Sequence, residues 1–132
     1  MANDLGSWSG LLVAKRGEIA VRIIRAASEL GVRTVAVYSE DDADALHVTR
    51  ADEAIALRGR GPAAYLDAEQ ILDVAVATRC SALHPGYGFL SEQAEFASAC
   101  AARGIVFVGP SPRSLAALGD KARARSIAKQ CG

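Results

Sequence analysis

The sequence predicts an α/β protein: a Rossmann-like, doubly wound, mostly parallel sheet with helices on both faces. Three observations predict it. Five short apolar runs recur along the 132 residues, each bounded by glycine, proline or polar residues. Most of the segments between them carry apolar side chains at helical spacing. The junctions are short, and parallel strands need crossovers, which those helices supply. A chain of this length holds about one domain.

Residues 1–10, MANDLGSWSG, read as a flexible polar lead-in, and nothing in the sequence explains Trp8. LLVAK (11–15) is the first strand. In GEIAVRIIRAASELG after it, Ile19, Ala20, Ile23, Ile24, Ala27 and Leu30 recur at helical spacing, which predicts an amphipathic helix closed by Gly31. RTVAVYS (33–39) is the second strand, EDDADA (40–45) an acidic loop, LHVTRAD (46–52) one helical turn and EAIAL (53–57) the third strand. RGRGPAAY (58–65) is a loop. Asp67, with Gln70 three residues on, caps a helix whose buried stripe is Ile71, Leu72, Ala75 and Val76. CSALH (80–84) is the fourth strand. SEQAEFASACAARG (91–104) is a helix opened by Ser91 and Glu92 and ended by Gly104, and IVFVG (105–109) is the fifth strand. PSPRSLAALG (110–119) turns into a short helix, and Asp120 caps a last one. That helix is still running at Gly132, so the expected division is a domain over 11–119 and the start of a truncated connection over 120–132.

Composition excludes several classes. Fifteen basic and fifteen acidic residues give a formal charge of +0, which offers no general attraction to nucleic acid or an anionic membrane, so neither is an expected partner. The apolar runs are too short to span a bilayer. Any anion site must be local. Cys80, Cys100 and Cys131 are an odd number without metal-ligand spacing and read as buried or incidental thiols of a cytoplasmic protein. His47 and His84, the only histidines, lie in different units with no carboxylate at ligand spacing, so no metal ligand is assigned. The first turn, KRGEIA, lacks G-x-G-x-x-G, which argues against a nicotinamide or flavin enzyme.

Three strand-end segments are candidates for chemistry. Lys15 and Arg16 put two cations just before a helix N-terminus, where a phosphate or carboxylate would dock; a solvated basic turn is the other reading. In HPGYGFLSE the proline holds His84 extended, and Gly86 and Gly88 open the backbone on either side of Tyr87. That arrangement suits close approach of a ligand, or a tight connection with Tyr87 and Phe89 in the core. In GDK, Lys121 opens a helix where the dipole disfavours a cation by roughly 0.3–1 kcal/mol. A triphosphate would reward that placement; a solvated lysine balanced by Asp120 is the plainer account. Arg25 and Glu29 form an i, i+4 pair in the weaker orientation.

Together, RGEIAVRIIRAASELG after the first strand, HPGYGFLSE after the fourth and GPSPRSLAALGDK after the fifth resemble the N-terminal domain of biotin carboxylase, the ATP-dependent component of acyl-CoA-type and other biotin-dependent carboxylases. The resemblance covers residues 11–132. It implies a pre-ATP-grasp fold, with 120–132 leading into an ATP-grasp domain. It also implies a ligase that phosphorylates bicarbonate with MgATP and carboxylates a ureido nitrogen of protein-linked biotin. ATP, Mg2+ and biotin are the implied cofactors of the complete enzyme. The implied partners are a biotin carboxyl carrier protein or domain, a carboxyltransferase component and a second copy in a homodimer.

Carried over residue by residue, Lys121 matches a lysine on the ATP phosphates. Tyr87 and Gly88 match the pocket where biotin and carboxyphosphate meet, Glu92 an acidic residue at its edge, and Arg25 and Glu29 part of a dimer contact. The base, the bicarbonate-binding arginine and the metal-ligating glutamates match nothing in this chain, so no catalytic residue is assigned and the fragment alone is expected to be inactive. One departure stands out: the usual ANRGEIA reads AKRGEIA, with Lys15 in place of an amide. Two alternatives remain, the N-terminal domain of another ATP-grasp ligase and a stand-alone nucleotide-binding or interaction module.

Overall fold

The computed structural model describes residues 8–86 and 89–109. Five strands, β1 (Leu11–Val13), β2 (Thr34–Tyr38), β3 (Glu53–Ala56), β4 (Ala82–His84) and β5 (Val106–Phe107), form one sheet in the order β3-β2-β1-β4-β5. Every neighbouring pair is parallel. The helices are α1 (Gly17–Glu29), α2 (Leu46–Arg50), α3 (Ala68–Ala77) and α4 (Ala94–Ala102). The predicted class is the observed one, although the strands are shorter than the apolar runs that signalled them.

Alternation along each strand sorts the core into two layers. Leu12, Ala14, Val35, Val37 and Leu83 face one side, where Ile71 and Leu72 of α3 and Phe96 and Cys100 of α4 complete the larger cluster. Leu11, Val13, Ala36 and Ala82 face the other, against Ala20, Ile24 and Ala27 of α1. Near-continuous apolar strands are what a sheet covered on both faces requires.

The helix ends repeat one device. Gly31 and Gly104 adopt positive φ, and the next residue donates back into the helix, Val32 N–H to Ala27 O and Ile105 N–H to Cys100 O, each at 2.9 Å. Arg79 does the same after α3 at φ 60°, without being glycine. Asp67 caps α3 as predicted, accepting from the Gln70 amide at 3.2 Å. Gln70 does more than cap: its buried side-chain amide accepts from the Arg58 N–H at 2.6 Å and so ties the loop after β3 to α3.

Three expectations need correction. Val76 is 57% exposed, and Gln70 rather than Val76 fills the buried face of α3 beside Ile71, Leu72 and Ala75. Ser91 and Glu92 do not open a helix, because residues Phe89–Glu92 form a 3-10 turn and α4 begins at Ala94, with Gln93 at its cap. The two stretches read as plain loops carry 3-10 turns, Glu40–Asp42 and Pro62–Leu66.

Candidate functional site

A doubly wound sheet opens its ligand crevice beyond the carboxyl ends of the strands, where the strand order reverses. Here that point lies between β1 and β4. Val13 is in register with His84, and the Ala14 N–H donates to His84 O at 2.9 Å, so the two chains leave the sheet side by side. One leads into Lys15-Arg16-Gly17 and α1, the other into Pro85-Gly86 and the 3-10 turn that carries Glu92.

Gly86 is there of necessity. Its φ is +72°, and a Cβ built on it would lie 2.7 Å from Cγ of Lys15 and 3.0 Å from its Cβ. The stem of Lys15 therefore lies across the bare backbone of Gly86. Only 9% of Lys15 is exposed, and that burial pushes its ammonium pKa down; neighbouring Arg16 pushes the same way, and Glu92 opposes both. The predicted anion contact Lys15 and the predicted pocket-edge residue Glu92 thus share one electrostatic neighbourhood.

His84 shapes the same turn. Its Nδ1 accepts the Gly86 N–H at 3.0 Å, which leaves the ring proton on Nε2, and burial lowers its pKa. It is a neutral imidazole that fixes the turn. His47 lies elsewhere: on α2 and packed toward β2, it is 1% exposed, with Nε2 donating to Val37 O at 3.1 Å. Among the described residues no group of three or more His, Cys, Asp or Glu is arranged to hold a metal ion. These residues therefore do not fit a magnesium site.

Arg16 takes a different course from Lys15. From an extended residue at the start of α1, its guanidinium reaches Asp42 at 3.0 Å. Asp42 is itself anchored: the Tyr65 hydroxyl donates to its other oxygen at 2.8 Å, as does the Ser39 hydroxyl at 3.2 Å. The Tyr65 oxygen in turn accepts the Ser39 N–H at 3.1 Å, and burial leads the causes that push the Tyr65 phenol up to about 12. The Ser39 hydroxyl has a single proton, shared between Asp42 and the nearer Asp41 oxygen at 2.7 Å, and Asp41 accepts the Gly61 N–H at 2.9 Å. This network at the end of β2 was invisible in the sequence. The acidic run was its one visible signal, but nothing there announces that Tyr65, 23 residues further on, closes over Asp42.

Arg25 and Glu29 pair at 3.6 Å on the outer face of α1, where both side chains are well exposed, beside a shallow depression lined by Val21, Ser28 and Arg50. Cys80 and Cys100 are buried free thiols whose pKa values burial raises, Cys100 to about 11. Tyr87, Gly88, Lys121 and Cys131 lie outside the described residues.

The comparisons with known proteins converge on one family. A family model, "Biotin carboxylase, N-terminal domain", matches residues 7–115. The biotin-dependent acyl-coenzyme A carboxylase alpha3 subunit of Mycobacterium leprae is 56% identical over 89% of this chain, and the mitochondrial pyruvate carboxylase of Homo sapiens is 53% identical over 92% of it. The chain spans 20% of the first and 10% of the second. Among solved structures, the biotin carboxylase domain of a single-chain bacterial carboxylase superposes with a TM-score of 0.86 at 60% identity, covering 92% of this chain and 28% of that one. A crevice at the β1/β4 reversal, the turn that Lys15 and Gly86 build there and these matches agree: the chain belongs to the biotin carboxylase N-terminal domain family.

Proposed function

We propose that this chain forms one wall of a biotin carboxylation site in an ATP- and bicarbonate-dependent ligase. The observation that supports this best is the convergence of Lys15, His84-Pro85-Gly86 and Glu92 at the single reversal of strand order. In this reading Tyr87 and Gly88, which follow Gly86 directly, line the pocket for biotin and carboxyphosphate, with Glu92 at its edge. Lys15 supplies positive charge for an anionic substrate group, and Arg16, held by Asp42, steadies the turn beside it. Lys121 contacts the ATP phosphates. The site works by position and charge: it holds short-lived carboxyphosphate next to its acceptor.

Biotin as carboxyl carrier and MgATP as phosphoryl donor are proposed for the complete enzyme, with the magnesium ligands on residues outside those described. The proposed partners are a biotin carboxyl carrier protein or domain, a carboxyltransferase component and a second copy, for which Arg25 and Glu29 offer exposed, self-complementary charge. A cytoplasmic setting is proposed with them. The division into a domain over 11–119 and a connection to an ATP-grasp domain over 120–132 is part of the same proposal. The terminal acceptor is set elsewhere. Relatives named for acyl-CoA, pyruvate and urea match this chain at 56%, 53% and 52% identity, a spread too small to choose among them.

The test is made on the complete protein that contains this chain. Bicarbonate-dependent ADP release in the presence of biotin is expected, and Lys121→Ala is expected to weaken ATP binding about tenfold or more while far-UV dichroism stays unchanged. Nucleotide affinity unaltered by Lys121→Ala would overturn the role of that lysine. Turnover by the isolated 132 residues would overturn the claim that the site needs a second wall.

A further inference from the structure

His47 carries a nitrogen that the fold does not use. The ring is 1% exposed, and its Nε2 meets Val37 O at 3.1 Å. A carbonyl only accepts, so Nε2 holds the ring proton and Nδ1 is left as an acceptor. Burial lowers the pKa of the ring, which keeps it neutral and that lone pair available. Nδ1 is nevertheless buried and has no partner among the described residues. Buried polar atoms are nearly always bonded, so an exception calls for a reason. The two nitrogens of an imidazole point in widely divergent directions. With Nε2 turned to β2, Nδ1 points back from the sheet toward the seam where α1 and α2 pack together.

A cleft of about 270 Å³ lies in that seam, lined by Gly17, Glu18, Val21, Ala45, Leu46 and His47. Val21, Ala45 and the half-exposed Leu46 give it apolar walls. At one end the 13-residue helix α1 begins, and Arg16 at its cap supplies no side-chain acceptor for the first backbone N–H groups. Nothing lies within 4 Å of where a side chain on Gly17 would start, so that end is open to an incoming acceptor. The charges nearby are already matched, Glu18 with Arg22 at 2.9 Å and Arg16 with Asp42 at 3.0 Å. Among the described residues no cation lines the cleft, which leaves a phosphate or carboxylate without a counter-charge. An ammonium would face the positive end of the helix. A neutral group with a donor beside an acceptor meets neither objection, and an apolar pocket with two convergent polar points is the kind that fixes such a group. We infer that this cleft binds a small neutral amide or cyclic urea, whose N–H donates to His47 Nδ1 while its carbonyl oxygen accepts from the first N–H groups of α1 and its apolar body lies on Val21 and Leu46. The inference does not depend on the proposed function.

The chain has only two histidines, so isotope-labelled histidine lets the Nδ1 resonance of His47 be followed by NMR in the 132-residue chain. Ethyleneurea, a cyclic urea, should move that resonance upfield along a saturating curve, with a dissociation constant on the order of 1 mM for so small a probe. Its N,N′-dimethyl derivative keeps the carbonyl and adds apolar surface but has no N–H, and should bind about tenfold more weakly or worse. Val21→Phe narrows the cleft and leaves both nitrogens of His47 in place, so it should weaken ethyleneurea by a similar factor. If that variant loses its far-UV helical signal, Ala45→Leu takes its place with the same expectation. A resonance unmoved by ethyleneurea, as for an Nδ1 bonded to water, would overturn the inference. Equal binding of the dimethyl derivative would remove Nδ1 from recognition and overturn it too, and equal binding by the narrowed cleft would overturn the location. A resonance that shifts with protein concentration alone would overturn it in favour of a second copy seated in the cleft.

Discussion

Gly86→Ala tests whether the turn at the crevice is built as described. The substitution places a residue with a side chain at φ +72°, which disfavours L-residues by roughly 1–2 kcal/mol. The new Cβ would also lie 2.7, 3.0 and 3.2 Å from Cγ, Cβ and Cδ of Lys15, an overlap with the root of a buried side chain rather than its mobile tip. Overpacking of that kind typically adds about 1–3 kcal/mol, so the expected loss is about 2–5 kcal/mol in all. Equilibrium urea unfolding reads this as a fall in midpoint of about 1 M or more, given slopes of about 1–3 kcal/mol per M for small domains. The steric share is separable. In a Lys15→Ala background the Cγ and Cδ contacts vanish while the backbone strain stays, so Gly86→Ala should cost about 1 kcal/mol less there. An equal loss in both backgrounds would refute the packing of Lys15 across Gly86, and a loss below about 1 kcal/mol in the wild-type background would refute the strained turn as well.

Three further outcomes follow from the same structure. Tyr65→Phe leaves the buried Ser39 N–H without an acceptor and takes a donor from Asp42, so it should destabilise by about 1–3 kcal/mol in the same unfolding assay; a neutral result would contradict the network behind Arg16. Arg79→Gly should stabilise by about 1 kcal/mol, because the position holds φ 60° and uses its backbone carbonyl rather than its side chain to bond Ser9 and Arg33; destabilisation would show that the side chain matters. Burial lowers the pKa of both His47 and His84, with Asp42 opposing and Arg16 assisting at His47. Both rings are therefore neutral in the fold, while the unfolded chain takes up protons near pH 6.5. Stability should be complete above that pH and fall as pH drops through 6.5 toward the lowered folded values. Unfolding midpoints measured from pH 7 to pH 5 should show the slope, and His47→Gln with His84→Gln should flatten it; an unchanged slope in the double variant would sink the assignment.

How much of this the sequence displayed depends on how local each signal is. The amphipathic spacing of α1, the Asp67 cap and the glycine ends of α1 and α4 involve residues within about one or two helical turns of each other, and such patterns read directly from spacing, although only Ala20, Ile24 and Ala27 of α1 are buried and Leu30 at its end is 62% exposed. Val76 fails because apolar residues fill most positions of α3, AEQILDVAVA, so spacing alone does not fix which face is buried, and Gln70 gained its buried place through a loop bond to Arg58 that no periodicity records. Ser91 and Glu92 looked like a helix start for sound reasons of residue preference, yet the chain spends them in a 3-10 turn before α4. At the candidate site, the glycines and proline after β4 were conspicuous. What Gly86 makes room for was not, because Lys15 lies 71 positions earlier and only the pairing of β1 with β4 brings the two together.

That pairing also explains how two adjacent cations share one strand end. Lys15 and Arg16 left side by side in the crevice would repel each other, and Arg16 does depress the Lys15 pKa. The fold separates their roles. Arg16 is drawn to Asp42, whose carboxylate is held in place by Tyr65 and Ser39. Lys15 is pressed over Gly86 and answers electrostatically to Glu92. The frame of the site, Arg16 to Asp42 and His84 to Gly86, therefore uses no atom of the Lys15 side chain. An amide at position 15, usual in this family, and the lysine found here are both compatible with that frame. What the lysine changes is confined to the packing on Gly86 and the charge opposite Glu92, so a Lys15→Asn variant should keep the fold and shift only the handling of anions at the crevice.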